Sequence, residues 1–305
     1  MSIELTILGN SSATPTLNRF PSAQYLNMLD HHILIDCGEG TQMQLRKYKI
    51  KKSKLHYIFI SHVHGDHILG LPGLIFSMNL NSRLEPLHIF GPASLFEILD
   101  MFLKHSDTRL RFDIVKHITD DSKREVIFEN MLIKVTSFPL YHRIPTTGFI
   151  FEEQSRLRKL NIEACERYHI PFTFYNDIKR GKDFISADGK TEISNEKLTY
   201  DSGLPIRYAY CSDTIYDKRV INEVRDVDWL YHESTFLHEK LERAIETKHT
   251  TAKQAGMVAK EANVKNLLIG HFSSRYEDLN ELLEEAKTEF PQTEIAEEGI
   301  TFVFE

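Results

Sequence analysis

The stretch Ser61–His67 reads SHVHGDH and follows directly on an apolar run, LHYIFI, from Leu55 to Ile60. Three histidines and an aspartate thus fall within six positions. Packing alone rarely crowds imidazoles in this way, whereas neutral imidazole and carboxylate are good ligands for Zn²⁺ and neighbouring divalent ions. In an extended segment alternate residues share a face, so His62 and His64 point together. Gly65 permits a sharp turn, after which Asp66 and His67 face a second position at the start of a helix. Ligands aimed in two directions suit two metals better than one. The bland alternative, surface or core histidines without a metal, is the usual outcome for a lone histidine and a poor account of this cluster.

Strand-like and helix-like segments alternate on both sides of that stretch. IELTILG, QYLNML and HHILIDCG read as strands before it, with a helix over GTQMQLRKY. After it come the helical ILGLPGLIFSMNL, the strand LHIFG and the helix ASLFEILDMFLKH. VIFENMLIKVTSF, IRYAYCSDT, DWLYHEST and NLLIGHF then read as strands, among the helices KRVINEVRD and TTAKQAGMVAKEA. Five of the strands end in a polar residue: Asp36, His62, His142, Asp213 and His271. In α/β sheets the crevice beyond the carboxyl ends of strands is where sites are built. From about Arg156 to Leu204 the pattern turns polar and irregular, which predicts an insertion (156–204) projecting from a single α/β domain over 1–305.

The chain of 305 residues can bury a sizeable core. Its formal charge of −7 speaks against indiscriminate nucleic-acid binding. The net figure hides an asymmetry, because RKYKIKKSKLH carries six basic side chains between Arg46 and Lys54 while YEDLNELLEEAKTEF is strongly acidic. The basic run fits a phosphate-facing patch and a solvated helix face about equally. Cys37, Cys165 and Cys211 are isolated and form no CxxC pair. A disulfide framework is therefore not expected, and with no signal peptide or membrane span legible, a cytoplasmic protein is.

HxHxDH after a strand, a preceding DCG, and later lone His, Asp and His at strand ends resemble the metallo-β-lactamase superfamily over nearly the whole chain. The resemblance implies a four-layer αββα sandwich with metals at one edge. It implies that His62, His64 and His142 hold one zinc ion, that Asp66, His67 and His271 hold the other, and that Asp213 bridges them. Asp36 would buttress the ligands from behind. Two ions roughly 3.5–4 Å apart share a water whose pKa falls toward about 7, so hydrolysis is the expected reaction class, with Asp66 orienting the hydroxide and accepting its proton.

Further stretches are similar to the ribonuclease Z family: GNSSATPTLNRFPSA, LIDCGEGTQMQ, LYHRIPTTGF, SDT, and KHTTAKQAGMVAKEANVKNLLIGHFSSRY. The more discriminating are HEST, His232 to Thr235, and HTT, His249 to Thr251. The resemblance implies a zinc endoribonuclease that trims the 3′ trailer from precursor tRNA, with two Zn²⁺ per subunit, acting as a homodimer. Metal-hydroxide attack on phosphorus would leave a tRNA 3′-OH and a trailer 5′-phosphate. His249 would protonate the departing oxygen with Glu233 orienting it. Read alone, His249 is equally a helix-entry residue beside a capping Thr250 or Thr251. The insertion would be a tRNA-gripping arm, offering Arg156, Arg158, Lys159, Lys179, Arg180 and Lys182 with Tyr168, Phe172, Phe174 and Tyr175 interleaved. It carries HIPFTFYND where the family's arm has a Gly-Pro-rich core. A small-molecule phosphodiesterase or arylsulfatase-like hydrolase on this fold would need neither that arm nor His249. A non-catalytic RNA-binding protein would be expected to have lost ligand positions, and none is missing.

Overall fold

A computed structural model describes residues 3–154, 157–201 and 203–304. Two seven-stranded sheets carry the larger part of the chain. The first runs in the order Thr301–Phe304, Ile3–Gly9, Ala23–Met28, His31–Ile35, Tyr57–Phe59, Leu87–Gly91 and Ile114–Ile118. It is antiparallel as far as the His31–Ile35 strand and parallel beyond it. The second runs Thr293–Ile295, Asn266–Gly270, Trp229–Glu233, Arg207–Cys211, Thr146–Glu153, Ile133–Leu140 and Glu125–Glu129.

The central parallel strands hold short apolar runs at Ile33–Ile35 and Leu267–Ile269 because both of their faces are covered. Ile33, Leu34, Ile35, Leu267, Leu268 and Ile269 are all fully buried. Between the sheets, Phe59 meets Phe149 and Phe151 edge to face with ring centroids 5.5 and 5.2 Å apart. Helices Thr41–Lys47, Gly70–Leu80 and Ala93–His105 cover the outside of the first sheet through Leu45, Leu71, Leu74 and Leu95. Helices Lys218–Glu223, Ala252–Glu261 and Asn280–Lys287 cover the second through Val220, Ala255, Val258 and Leu282. The layers are therefore helix, sheet, sheet, helix.

VIFENMLIKVTSF departs from its one-strand reading. It is two antiparallel strands, Glu125–Glu129 and Ile133–Leu140, separated by a turn in which Asn130 Oδ1 accepts the Leu132 N–H at 2.8 Å. Such a side-chain bond two residues on is how asparagine makes a turn. The contacts divide the chain into two compact units, the second formed by Asn130–Leu132 with Glu153–Pro205. That second unit has its own small core of Cys165, Ile170, Ile178, Phe184 and Leu198. Among the described residues no helix is long and apolar enough to cross a membrane, and all three cysteines are free and buried.

Candidate active site

Asp36 and four of the candidate ligands follow the ends of strands, while Asp66 and His67 lie in the short helix Gly65–Ile68. Asp36 follows His31–Ile35, His62 follows Tyr57–Phe59, and His142 follows Ile133–Leu140. Asp213 follows Arg207–Cys211, and His271 follows Asn266–Gly270. Asp36 and His271 leave their strands at φ of 55° and 58°, a left-handed turn that Asp and His tolerate better than most residues. The turn at Cys37–Gly38 packs directly against the short helix Gly65–Ile68. Cys37 N–H donates to His67 O at 2.8 Å, Gly70 N–H donates to Cys37 O at 2.9 Å, and a Cβ on Gly38 would lie 2.4 Å from Asp66 O. Glycine is what lets the two backbones meet there.

The side chains converge on two centres. At the first, His64 Nδ1 lies 3.1 Å from His62 Nε2 and 3.3 Å from His142 Nε2. Asp213 Oδ2 lies 3.6 and 3.7 Å from the same two Nε2 atoms. At the second, Asp66 Oδ2 lies 3.5 Å from His67 Nε2 and 3.4 Å from His271 Nε2. Asp213 Oδ1 lies 3.3 and 3.1 Å from that pair. The two oxygens of one buried carboxylate thus face opposite centres. Bonds of about 2.1 Å from a tetrahedral ion put neighbouring donors about 3.4 Å apart, which is the spacing seen.

The outer nitrogens complete the fit. His62 Nδ1 meets Ser61 Oγ at 3.0 Å, His67 Nδ1 meets Asp36 Oδ2 at 2.7 Å, and His142 Nδ1 meets Lys248 O at 2.9 Å. His271 Nδ1 meets Thr235 Oγ1 at 3.0 Å. Partners of this kind fix a ligand's tautomer. His67 Nε2, turned inward and buried, has no hydrogen-bond partner. Asp36 is itself anchored by Ser61 N–H at 2.8 Å and Tyr210 O–H at 2.6 Å.

Electrostatics agree with this division. Burial pushes His62, His64 and His142 down, keeping them neutral and able to ligate. Burial acts on His67 too, but Asp66, Asp213 and Asp36 together raise it well above its ordinary value. Burial would raise Asp213, and His271, His67 and His62 hold it far below the carboxylate range instead. A cation between these groups would satisfy the carboxylates without a proton on His67.

His249 stands beside the first centre, its ring centroid 4.9 Å from that of His142. Its Nδ1–H donates to Glu233 Oε1 at 2.9 Å. Burial lowers His249, yet the Glu233 carboxylate outweighs it and lifts the imidazole to about 9. Thr251, two residues on, caps helix Ala252–Glu261 with a full capping box. The HTT stretch thus opens that helix through Thr251 and sets His249 against Glu233.

A cleft of about 530 Å³ opens over these groups, and Arg143, Arg243 and Arg275 stand in its wall beside His64, Asp66 and His249. The sequence reading named none of these arginines, since isolated arginines form no pattern. Nor did it give a role to Thr235, Ser61, Lys248 O or the Ala13 N–H, which donates to Asp66 Oδ2 at 2.7 Å. The basic run lies elsewhere. Arg46, Lys51 and Lys52 line a separate groove of about 770 Å³ with Ser77, Met78 and Asn81.

In the second unit Phe172 is 80% exposed, whereas Phe174 packs edge-on against buried Phe184 at 5.1 Å. Lys159, Lys179, Arg180 and Lys182 have exposed or half-exposed side chains. Arg158 is tied by its Nε to Thr199 Oγ1 at 2.7 Å. Arg156 lies outside the described residues.

A family model described as "Anti-Pycsar protein Apyc1" matches residues 3–292. Ribonuclease Z of Bacteroides fragilis is 45% identical over 297 residues, covering 97% of each chain. Ribonuclease Z of Phocaeicola vulgatus is 45% identical over 302 residues, covering 99% of this chain and 97% of the relative. Among solved structures, the short form of human tRNase Z superposes with a TM-score of 0.71 at 25% identity and covers 98% of both chains. A metallo-β-lactamase-fold protein from Bacillus subtilis does so with a TM-score of 0.71 at 19% identity and covers 100% of both, a likeness of fold alone. With its two facing sheets and the His and Asp clusters at their rim, the chain belongs to the ribonuclease Z family of metallo-β-lactamase-fold proteins, a fold over which it also matches the Apyc1 family.

Proposed function

We propose that this chain is a divalent-metal-dependent endoribonuclease that removes the 3′ trailer from precursor tRNA. The observation that carries the reading is the His249–Glu233 pair beside two ligand groups that share Asp213, in a chain 45% identical to ribonuclease Z relatives. His62, His64, His142 and Asp213 would hold one ion, and Asp66, His67, His271 and Asp213 the other, with Zn²⁺ as the metal and two ions per subunit. Such ions supply a deprotonated water at neutral pH and neutralise charge on the attacked phosphoryl group. Asp66, fixed by Ala13 N–H, orients the attacking water and takes its proton. His249, kept protonated by Glu233, gives a proton to the departing 3′ oxygen. The P–O3′ bond breaks, leaving a tRNA 3′-OH and a trailer 5′-phosphate.

Arg143, Arg243 and Arg275 suit the flanking phosphates. The second unit, which carries exposed Phe172 together with Lys179, Arg180 and Lys182, suits contact with RNA phosphates and bases. A homodimer, working in the cytoplasm, completes the reading.

The test is cleavage of a precursor tRNA with mapped product ends, with and without chelator. A single cut at the trailer junction, lost with chelator and restored by Zn²⁺, supports the proposal. Metal-dependent hydrolysis of bis(p-nitrophenyl) phosphate with no RNA cut discards tRNA and favours the small-molecule hydrolase. Replacing Lys179, Arg180 and Lys182 by alanine should raise KM for precursor tRNA about tenfold and leave the simple diester unchanged, since each phosphate contact adds salt-sensitive affinity.

A further inference from the structure

One hydroxyl touches both halves of the site. Thr235 follows the Trp229–Glu233 strand and is 2% exposed. Its Oγ1 lies 2.6 Å from Glu233 Oε2 and 3.0 Å from His271 Nδ1. The other oxygen of Glu233 accepts the Thr214 N–H at 2.8 Å and His249 Nδ1–H at 2.9 Å. Burial pushes the Glu233 carboxyl up, but His249 more than offsets it, so the group stays ionised and offers only acceptors.

A threonine hydroxyl has one proton to give. Two acceptors compete for it, Glu233 Oε2 at 2.6 Å and His271 O at 3.0 Å, and the charged, closer oxygen is the stronger. The hydroxyl oxygen is then free to accept from His271 Nδ1–H. This leaves His271 Nε2 bare, and Nε2 is the atom 3.4 Å from Asp66 Oδ2 and 3.1 Å from Asp213 Oδ1. Ser61, Asp36 and Lys248 O each serve one other ligand histidine. Among these outer partners, Thr235 is the one that also bonds the carboxylate aiming His249.

We propose that Thr235 is a positioning residue for two groups at once. It presents His271 as an Nε2 ligand to the centre shared with Asp66 and His67, and it fixes the Glu233 carboxylate that holds His249. The proposal rests on the reading of His271 as a metal ligand. Metal loading and placement of the acid then depend on the same hydroxyl, so its loss weakens metal binding at that centre and loosens the hold on the acid.

Thr235→Val removes the hydroxyl at nearly constant volume, and Thr235→Ser keeps it. The wild type and both variants are stripped of metal and titrated with Zn²⁺ against a chromophoric chelator, with folding followed by far-UV circular dichroism. The wild type should take up two ions. Thr235→Val should bind one of them about 10- to 100-fold more weakly, the usual effect of losing an outer partner, and the other unchanged. Thr235→Ser should stay within a few-fold of wild type. Thr235→Val holding both ions as tightly as wild type, or Thr235→Ser losing as much as Thr235→Val, overturns the inference alone. A wild type that binds no Zn²⁺ overturns the metal reading and this inference with it.

If Thr235→Val does not fold, Thr235→Ala takes its place. The ring ¹⁵N shifts of His271 in metal-free, histidine-labelled wild type decide independently. The Nδ1–H tautomer supports the proposal, and the Nε2–H tautomer overturns it.

Discussion

Histidines cluster at two places, the rim shared by both sheets and the Ile114–Ile118 edge of the first sheet, and the two clusters are built differently. At the rim beyond Phe59, Asp66 and Asp213 stand between the imidazoles, and four of the ring nitrogens turned away from the centres have a partner. On the strands Leu87–Gly91 and Ile114–Ile118, His88 Nδ1 and His117 Nε2 instead bond to each other at 3.0 Å. There His117 stacks on Phe90 with centroids 4.1 Å apart, and Tyr57 leans on His88 at 5.5 Å. Among the described residues no carboxylate is hydrogen-bonded to either ring. Crowded imidazoles alone therefore do not make a metal group. Interleaved carboxylates, which offset the charge of an ion, and outer partners, which fix tautomers, distinguish one cluster from the other.

The largest effect should separate the clusters outright. His64→Ala or Asp213→Ala should lower hydrolysis of both precursor tRNA and bis(p-nitrophenyl) phosphate by more than about 100-fold, beyond what loss of an outer partner costs. His88→Ala should leave both rates within about 2-fold, as is usual for a change outside the reacting groups. Equal losses at His64 and His88 in kinetic assays of the folded proteins would erase the distinction.

A smaller and more selective effect belongs to His249. General-acid catalysis contributes about 10²–10⁴-fold where the leaving group is a poor one, such as a ribose oxygen. His249→Gln should cost about 10²-fold on precursor tRNA. It should cost much less on the p-nitrophenyl ester, whose leaving group departs without a proton. The imidazole titrates near 9, above its ordinary value, so the acid is present below that pH. RNA cleavage should fall as pH rises through about 9, while p-nitrophenyl ester hydrolysis should not show that limb. A pH–rate profile on the two substrates checks the difference.

Much of this was legible in the sequence because it is written in side-chain type at strand ends. HVHGDH, Asp36, His142, Asp213 and His271 each stand where a strand gives out, and the fold needed only to bring those ends to one rim. The pairings were not legible. Which oxygen of Asp213 faces which centre depends on the register of strands far apart in sequence. Lys248 O and the Ala13 N–H act through backbone, which every residue has, so no composition marks them. Thr235 lay inside a recognised motif, yet a hydroxyl there reads as a turn residue until its two partners are in place. VIFENMLIKVTSF was misread because its apolar residues run on through the turn, and Asn130 was its one sign.

The smallest expected effect tests what the second cluster does instead. Burial lowers His88 and His117 below their ordinary value of 6.5, and the charges facing them, His56 and Arg83 at His88 and His88 at His117, push the same way. The unfolded chain therefore binds protons there that the folded chain does not. The sign follows: the pair's contribution to stability is complete above about 6.5 and is lost as pH falls through that value toward the lower folded one. His117→Gln keeps a hydrogen-bonding group opposite His88 Nδ1 and removes one titrating ring. Its melting temperature should fall less than that of the wild type between neutral pH and about pH 5.5, by about 2 °C or less because both rings are only half-buried and partly screened by water. An unchanged pH slope in His117→Gln would show that the pair does not titrate with folding. Packing of Phe90 and Tyr57 would then be its whole contribution.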